Sequence, residues 1–156
     1  MTTAHGISPG RIDSLLKTVS ELDLTEPDDA RSHLEAVYPL RGSLVQDLRE
    51  SLERATTAGD ICDRGEPPVR YSRLWKGTEE THGVSADCVL MTGPGPRHRH
   101  PNGEVNLCFR VDGEPTFDGH PEGWVVLPPD STHVPTVAGG EMFILYLLPG
   151  GAIEFL

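Results

Sequence analysis

Two histidines and a glutamate lie close together in the middle of the chain, within the run GPGPRHRHPNGEVNLCFRVDG at positions 93–113. His98 and His100 are two residues apart, so on an extended strand both imidazoles lie on the same face. Glu104 follows a tight Pro-Asn-Gly turn, which allows its carboxylate to converge on the same point. Two imidazoles and a carboxylate suit a divalent transition metal such as iron, manganese, nickel, copper or zinc.

A fourth ligand is available downstream, in the run GWVVLPPDSTH at positions 123–133. There a short strand and a Pro-Pro turn deliver His133. The sequence therefore predicts a metal site formed by His98, His100, Glu104 and His133, with a purely structural role for these side chains as the alternative.

The strand that begins at Glu104 has two faces of opposite character. If Glu104 points into a barrel, every second residue does the same, because side chains alternate along a strand. The residues expected inside are Asn106, Cys108 and Arg110. The residues expected outside are apolar and need a cover: Val105, Leu107, Phe109 and Val111.

Three arginines are candidates for binding an acidic substrate. The planar guanidinium of arginine pairs well with a carboxylate. Arg110 is the first choice, because its alternation with Glu104 directs it inward, and Arg73 and Arg97 compete with it. A surface ion pair is the alternative for each of them.

Other side chains near the two motifs suggest further roles. Trp124 and Tyr146 can stack on an aromatic ring, although packing in a core is the alternative. His120 lies in the loop between the motifs and is a candidate proton shuttle at the mouth of a pocket, the alternative being a solvated loop histidine.

The elements that position these residues change character near residue 65. Of 17 Gly and 14 Pro, only four and three lie in residues 1–64, so this segment permits helices, and the rest is divided by turns. Apolar stripes at helical spacing predict helices over 11–22, 26–38 and 41–58. Short apolar runs predict strands over 69–76, 84–92, 104–112, 123–127, 133–137, 142–148 and 152–155, which is typical of a β-sandwich or a small barrel.

This division predicts a helical segment over residues 1–64 and a β-barrel over 65–156. About 60 residues do not easily form a stable core alone. The helices are therefore expected to pack on the barrel or on a partner subunit. Because the outward face of the strand at 104–112 also needs burial, we expect a homodimer.

Composition excludes several classes of partner. Lys and Arg number 13 against 24 Asp and Glu, a formal charge of −11, which argues against binding nucleic acid or an anionic membrane surface. No apolar run reaches the length of a transmembrane helix, and residues 1–9 lack the apolar core of a signal peptide. We therefore expect a cytoplasmic protein. Three cysteines without a CxxC pair predict neither a disulfide framework nor a structural zinc site.

The two histidine-containing segments resemble the two motifs of the cupin superfamily. The first motif has HxH with a glutamate four residues after the second histidine, and the second has a glycine, a proline turn and a further histidine. The resemblance covers about residues 84–150 and implies a cupin β-barrel in which His98, His100, Glu104 and His133 are the metal ligands. Asp130 stands where the turn of the second motif usually has glycine.

A second resemblance, to a more specific family, covers nearly the whole chain. The chain is similar to the small bacterial 4-hydroxylaminobenzoate lyases. The similarity lies in a helical N-terminal segment followed by three runs, HRHPNGEVNLCF, GWVVLPPDSTHVPTV and LYLLPGGAIEF. The resemblance implies conversion of 4-hydroxylaminobenzoate, a small aromatic acid, to 3,4-dihydroxybenzoate and ammonia in nitroaromatic degradation. Glu104 is then a metal ligand or a proton carrier. The alternatives are a metal-dependent cupin dioxygenase acting on a small aromatic acid and a non-catalytic cupin that binds a small ligand.

Overall fold

The computed structural model describes residues 7–156, so most of the segment on which the absence of a signal peptide was argued lies outside the described residues. The three predicted helices are confirmed. After a short 3-10 turn, Pro9–Ile12, they are α1 (Asp13–Glu21), α2 (Pro27–Val37) and α3 (Ser43–Thr57). Each buries its apolar stripe, as Leu15, Leu16 and Val19 do in α1. No helix in this part of the chain combines the length and the apolar character needed to cross a membrane.

Within residues 7–156, nine strands form two antiparallel sheets, and residues of both sheets line one cavity. The strands are β1 (Arg64–Glu66), β2 (Val69–Trp75), β3 (Val84–Met91), β4 (His98–His100), β5 (Glu104–Phe117), β6 (Gly123–Leu127), β7 (Ser131–His133), β8 (Val137–Pro149) and β9 (Glu154–Phe155). The larger sheet has the order β1-β2-β3-β8-β5-β6, and the smaller has the order β7-β4-β9. The mainly β architecture with an N-terminal helical segment is as predicted.

Strands β5 and β8 are longer than the sequence pattern predicted. β5 continues to Phe117 instead of ending at 112, and β8 begins at Val137 instead of 142. Gly113 and Gly139 resemble turn residues in the sequence, but they form irregularities within the paired strands, where both have positive φ. The strand predicted over 133–137 is interrupted, since β7 ends at His133 and Pro135, which has no N–H to donate, lies before β8.

The outward face of β5 is covered by the chain's own helices. Val105, Leu107 and Phe109 are at most 2% exposed and belong to one core with the apolar stripes of the three helices. Trp124 lies in the same core and donates its indole N–H to the carbonyl of Tyr38, at 2.8 Å. The burial that motivated the homodimer is therefore largely satisfied within one chain, and the homodimer stays a prediction.

Candidate metal centre and adjoining cavity

Three strand ends bring the four predicted metal ligands together. His98 and His100 lie on β4, Glu104 begins β5, and His133 ends β7 directly opposite His98 in the antiparallel pair. The potential ligand atoms of the four side chains all lie within 4.8 Å of one another. The juxtaposition expected from the spacing of the residues is thus present in the folded chain.

The donor atoms at this site are buried and incompletely paired. His98, His100 and Glu104 are at most 4% exposed. Glu104 Oε2 lies 2.8 Å from His100 Nε2 and 3.1 Å from His133 Nε2. Within residues 7–156, however, His98 Nε2, His100 Nδ1 and Glu104 Oε1 have no hydrogen-bond partner, and Nε2 of His100 faces only the Glu104 carboxylate. Each unpaired buried group costs about 1–3 kcal/mol, so a cluster of them around one point fits a bound metal ion.

Two of the imidazoles are oriented by hydrogen-bond partners that lie outside the cluster. His133 Nδ1 lies 2.6 Å from Asp118 Oδ2, and the other oxygen of Asp118 accepts the backbone N–H of Thr136 at 2.8 Å. His98 Nδ1 lies 3.1 Å from the carbonyl of Pro96. In both rings Nε2 is therefore left to face the site, which is the usual arrangement of metal-binding histidines. Asp118 was not predicted, because it approaches His133 only through the unexpected extension of β5.

The charges in the cluster shift the pKa values of its members. Burial raises the pKa of Glu104, but His100 and His133 outweigh this and hold the pKa at about 2. Burial lowers the pKa of His133, but hydrogen bonds to Asp118 and Glu104 outweigh it and raise the pKa to about 9. Burial lowers the pKa of His98 to about 4. Without metal, the site at neutral pH therefore has an ionised carboxylate beside a protonated His133, whose proton a metal ion must displace.

The turn before His133 adopts the backbone conformation that the second cupin motif requires. Asp130 has φ +63°, in the left-handed region that favours glycine. Arg99 pairs with Asp130 and also with Glu154 of β9, at 2.9 Å. The aspartate therefore replaces the usual glycine without changing the turn, and Arg99 ties together the three strands of the smaller sheet.

A cavity of about 710 Å³ lies between the two sheets and reaches the metal site at His98. Its wall is mixed, with apolar side chains such as Val89 and Met91 beside charged ones. Arg73 and Tyr146, both predicted to bind substrate, line it, and so does Arg64, which was not predicted. Arg73 donates to Asp87 from Nε at 2.8 Å and from Nη2 at 3.3 Å. Burial raises the pKa of Tyr146 well above its usual value, so its phenol stays protonated.

Four predicted site residues are not among those that line this cavity, and their roles stay predictions. Arg110 is exposed and donates to the carbonyl of Gly113, on the part of β5 that extends past its pairing with β6. Arg97 is exposed, and His120 lies in the turn after β5 with its backbone paired to Phe117. Trp124 packs under the helices.

Asn106 is a further polar residue on the inner face of β5. It is fully buried, and neither its amide nitrogen nor its amide oxygen has a hydrogen-bond partner within residues 7–156. It lies opposite Tyr146 of β8 in the strand register. Alternation with Glu104 predicted its direction, but nothing in the sequence indicated that its amide is left unpaired.

The two facing antiparallel sheets, with three histidines and a glutamate gathered at the strand ends, define a cupin. A family model described as "PnbB: 4-hydroxylaminobenzoate lyase" matches residues 10–155. The chain therefore belongs to the 4-hydroxylaminobenzoate lyase family.

A relative from Nocardioides sp. (strain LMS-CY), named 4-hydroxylaminobenzoate lyase, is 34% identical over 98 residues, which span 57% of this chain and 57% of that protein. Similar solved structures include two proteins described as cupin or cupin-like, both of low identity. An RmlC-like cupin from Ralstonia eutropha JMP134 is 15% identical over 58% of this chain and 61% of that one, with a TM-score of 0.44. A cupin-like protein from Thermotoga maritima MSB8 is 19% identical over 62% and 85%, with a TM-score of 0.42.

Proposed function

We propose that this protein is a lyase that converts 4-hydroxylaminobenzoate and water to 3,4-dihydroxybenzoate and ammonia, as a step in the degradation of nitroaromatic acids. Family membership supports the reaction. The structural observation that carries the proposal is the cavity, which reaches the three-histidine, one-glutamate cluster at His98 and has Arg64 and Arg73 on its wall. Such a cavity suits a flat acid with a reactive nitrogen at one end and a carboxylate at the other.

The metal would be held by His98, His100, Glu104 and His133, whose unpaired buried donor atoms fit a divalent transition ion. When bound, such an ion supplies Lewis acidity toward the hydroxylamine oxygen or a water molecule. Asp118 keeps Nε2 of His133 turned toward the site, and Glu104 remains ionised because of its histidine neighbours.

Arg73 is the cation that we assign to the substrate carboxylate. Asp87 occupies its Nε and Nη2, and this holds the guanidinium in place on the cavity wall. A carboxylate that enters a largely apolar cavity loses water, and a positioned cation offsets that cost. Tyr146, whose phenol stays protonated, is placed to contact the ring or donate a hydrogen bond to it.

The reaction balances without an external oxidant, since the hydroxylamine itself is reduced while the ring is oxidised. The N–O bond breaks, and its oxygen leaves as water after taking up a proton. A water molecule adds to the ring carbon beside the nitrogen-bearing carbon. Hydrolysis of the resulting imine releases ammonia and the ring regains aromaticity, so that one water is consumed overall.

The proposal is tested by turnover without oxygen, using protein purified without a histidine tag and analysed for metal. We expect ammonia and 3,4-dihydroxybenzoate to form in equal amounts under anaerobic conditions, and chelation to abolish their formation. The matched control is the Glu104→Gln variant. Product formation that requires oxygen would indicate a dioxygenase instead, and binding without turnover would indicate a non-catalytic cupin.

A further inference from the structure

Two cysteines that are distant in sequence lie in contact where the helical segment joins the barrel. Cys62 lies in the linker between α3 and β1, and Cys88 lies on β3. Their sulfur atoms are 3.4 Å apart, and the two residues are 4% and 0% exposed. A disulfide has an S–S length of about 2.05 Å, so the thiols need to approach by roughly 1.4 Å to form one.

Specific contacts hold the two thiols beside each other. Ser72 of β2 accepts the backbone N–H of Cys62 through Oγ at 2.9 Å, and the same oxygen lies 3.1 Å from Cys88 Sγ. Cys62 also has φ +53°, which is uncommon for a residue other than glycine. The thiol of Cys62 donates to Cys88, and this hydrogen bond lowers the pKa of Cys88. The pair therefore has two sulfur atoms held in contact by the chain around them.

Sequence neighbours of both cysteines line the cavity. Ile61 and Asp63, the neighbours of Cys62, line the cavity. Asp87, the neighbour of Cys88, also lines it and positions Arg73. A covalent link between the two sulfurs would tie the linker at residues 60–64 to β3.

We propose that Cys62 and Cys88 form a modification site, at which a peroxide oxidises the two thiols to a disulfide that fixes this part of the cavity wall. One thiolate attacks the peroxide, and the O–O bond breaks to give a sulfenic acid and, for hydrogen peroxide, water after protonation. The second thiol attacks the sulfenic sulfur, and a second water leaves. Two thiols are oxidised by two electrons in total, and one peroxide is reduced to two waters.

The third cysteine provides a matched control. Cys108 is fully buried on the inner face of β5, and no cysteine contact is seen for it in the described part of the chain. Burial raises its pKa well above the usual value, and unlike Cys88 it has no thiol beside it within residues 7–156 to complete a disulfide. All three cysteines are free thiols in the structure.

The test uses the full chain, purified under reducing conditions, exposed to hydrogen peroxide and then denatured and alkylated. We expect the mass to fall by two hydrogen atoms, one thiol of the three to remain alkylatable, and a non-reducing digest to join the Cys62 and Cys88 peptides. Dithiothreitol should restore all three thiols. Cys62→Ser and Cys88→Ser should each abolish the link, and Cys108→Ser should retain it.

Amide hydrogen exchange tests the effect on the cavity wall without using any substrate. We expect slower exchange over residues 60–64 in the oxidised protein than in the reduced protein, with reversal by dithiothreitol. Wild-type protein that keeps three alkylatable thiols, or that gains oxygen at one cysteine without a link, would overturn the modification site. A link that leaves exchange over residues 60–64 unchanged would overturn its effect on the wall.

Discussion

The two faces of β5 are equally buried but are satisfied in different ways. On the outer face, Val105, Leu107 and Phe109 pack against the helices as apolar groups with nothing left unpaired. On the inner face, Glu104 and Asn106 are also fully buried, yet each has polar atoms without a hydrogen-bond partner in the described chain. Burial alone therefore does not separate core from site. Unpaired polar atoms reduce stability, so their concentration on one face indicates that this face is kept for binding.

The largest expected effect comes from changing the proposed metal ligand Glu104 on the inner face. Glu104→Gln keeps the shape of the side chain but removes the negative charge that the three histidines surround. Because even changes to residues behind the ligands typically weaken metal binding 10–100-fold, we expect a loss of more than about 100-fold in metal affinity. Metal analysis and titration with a divalent ion measure this effect. Asp118→Asn is the graded comparison, with a smaller loss expected.

Truncating a side chain on the outer face should lower the stability of the fold and leave metal binding unchanged. Phe109→Ala removes a buried ring beneath the helices and is expected to lower the free energy of unfolding by about 3–5 kcal/mol. Metal content per folded chain should not change. Denaturant unfolding together with metal analysis checks both expectations. Loss of metal from fully folded Phe109→Ala protein would show that the two faces are not independent.

An intermediate effect is expected at the cavity wall. Arg73→Met should raise KM for the hydroxylaminobenzoate by a factor that corresponds to about 1–2 kcal/mol, because this partly exposed cation is screened by solvent. Arg73→Lys should restore part of the loss, since lysine keeps the charge without the planar guanidinium. Arg110→Met is the matched control on the exposed part of β5. Equal kinetic changes in Arg73→Met and Arg110→Met would remove the assignment of Arg73.

The smallest expected effect is at Asn106 on the inner face, where one substitution should raise stability and weaken ligand binding. Asn106→Leu replaces an unpaired buried amide with an apolar group of similar size, and is expected to raise the free energy of unfolding by about 1 kcal/mol. Binding of the product 3,4-dihydroxybenzoate should weaken. Thermal unfolding with and without the product measures both quantities. A lower Tm without ligand would mean that the amide has a structural partner.

Local spacing was sufficient to predict that the four candidate ligands cluster, and to predict the main helices and strands. The HxH spacing and the short turn before Glu104 determine which side chains can converge, and alternation along β5 determines which residues face inward as far as Cys108. The apolar stripes of the three helices likewise depend only on neighbours a few residues apart. These features were predictable because each depends on the geometry of a single strand, turn or helix.

Contacts between distant segments were decided only by the tertiary structure. Pairing of β5 with β6 ends at Cys108 and leaves Arg110 exposed, while pairing of β5 with β8 past Gly113 brings Asp118 to His133. Packing of β6 under the helices places Trp124 in the outer core, and the linker before β1 brings Cys62 to Cys88. Sequence patterns report the face on which a residue lies, but the neighbour across that face depends on register, strand irregularities and the packing of segments tens of residues apart.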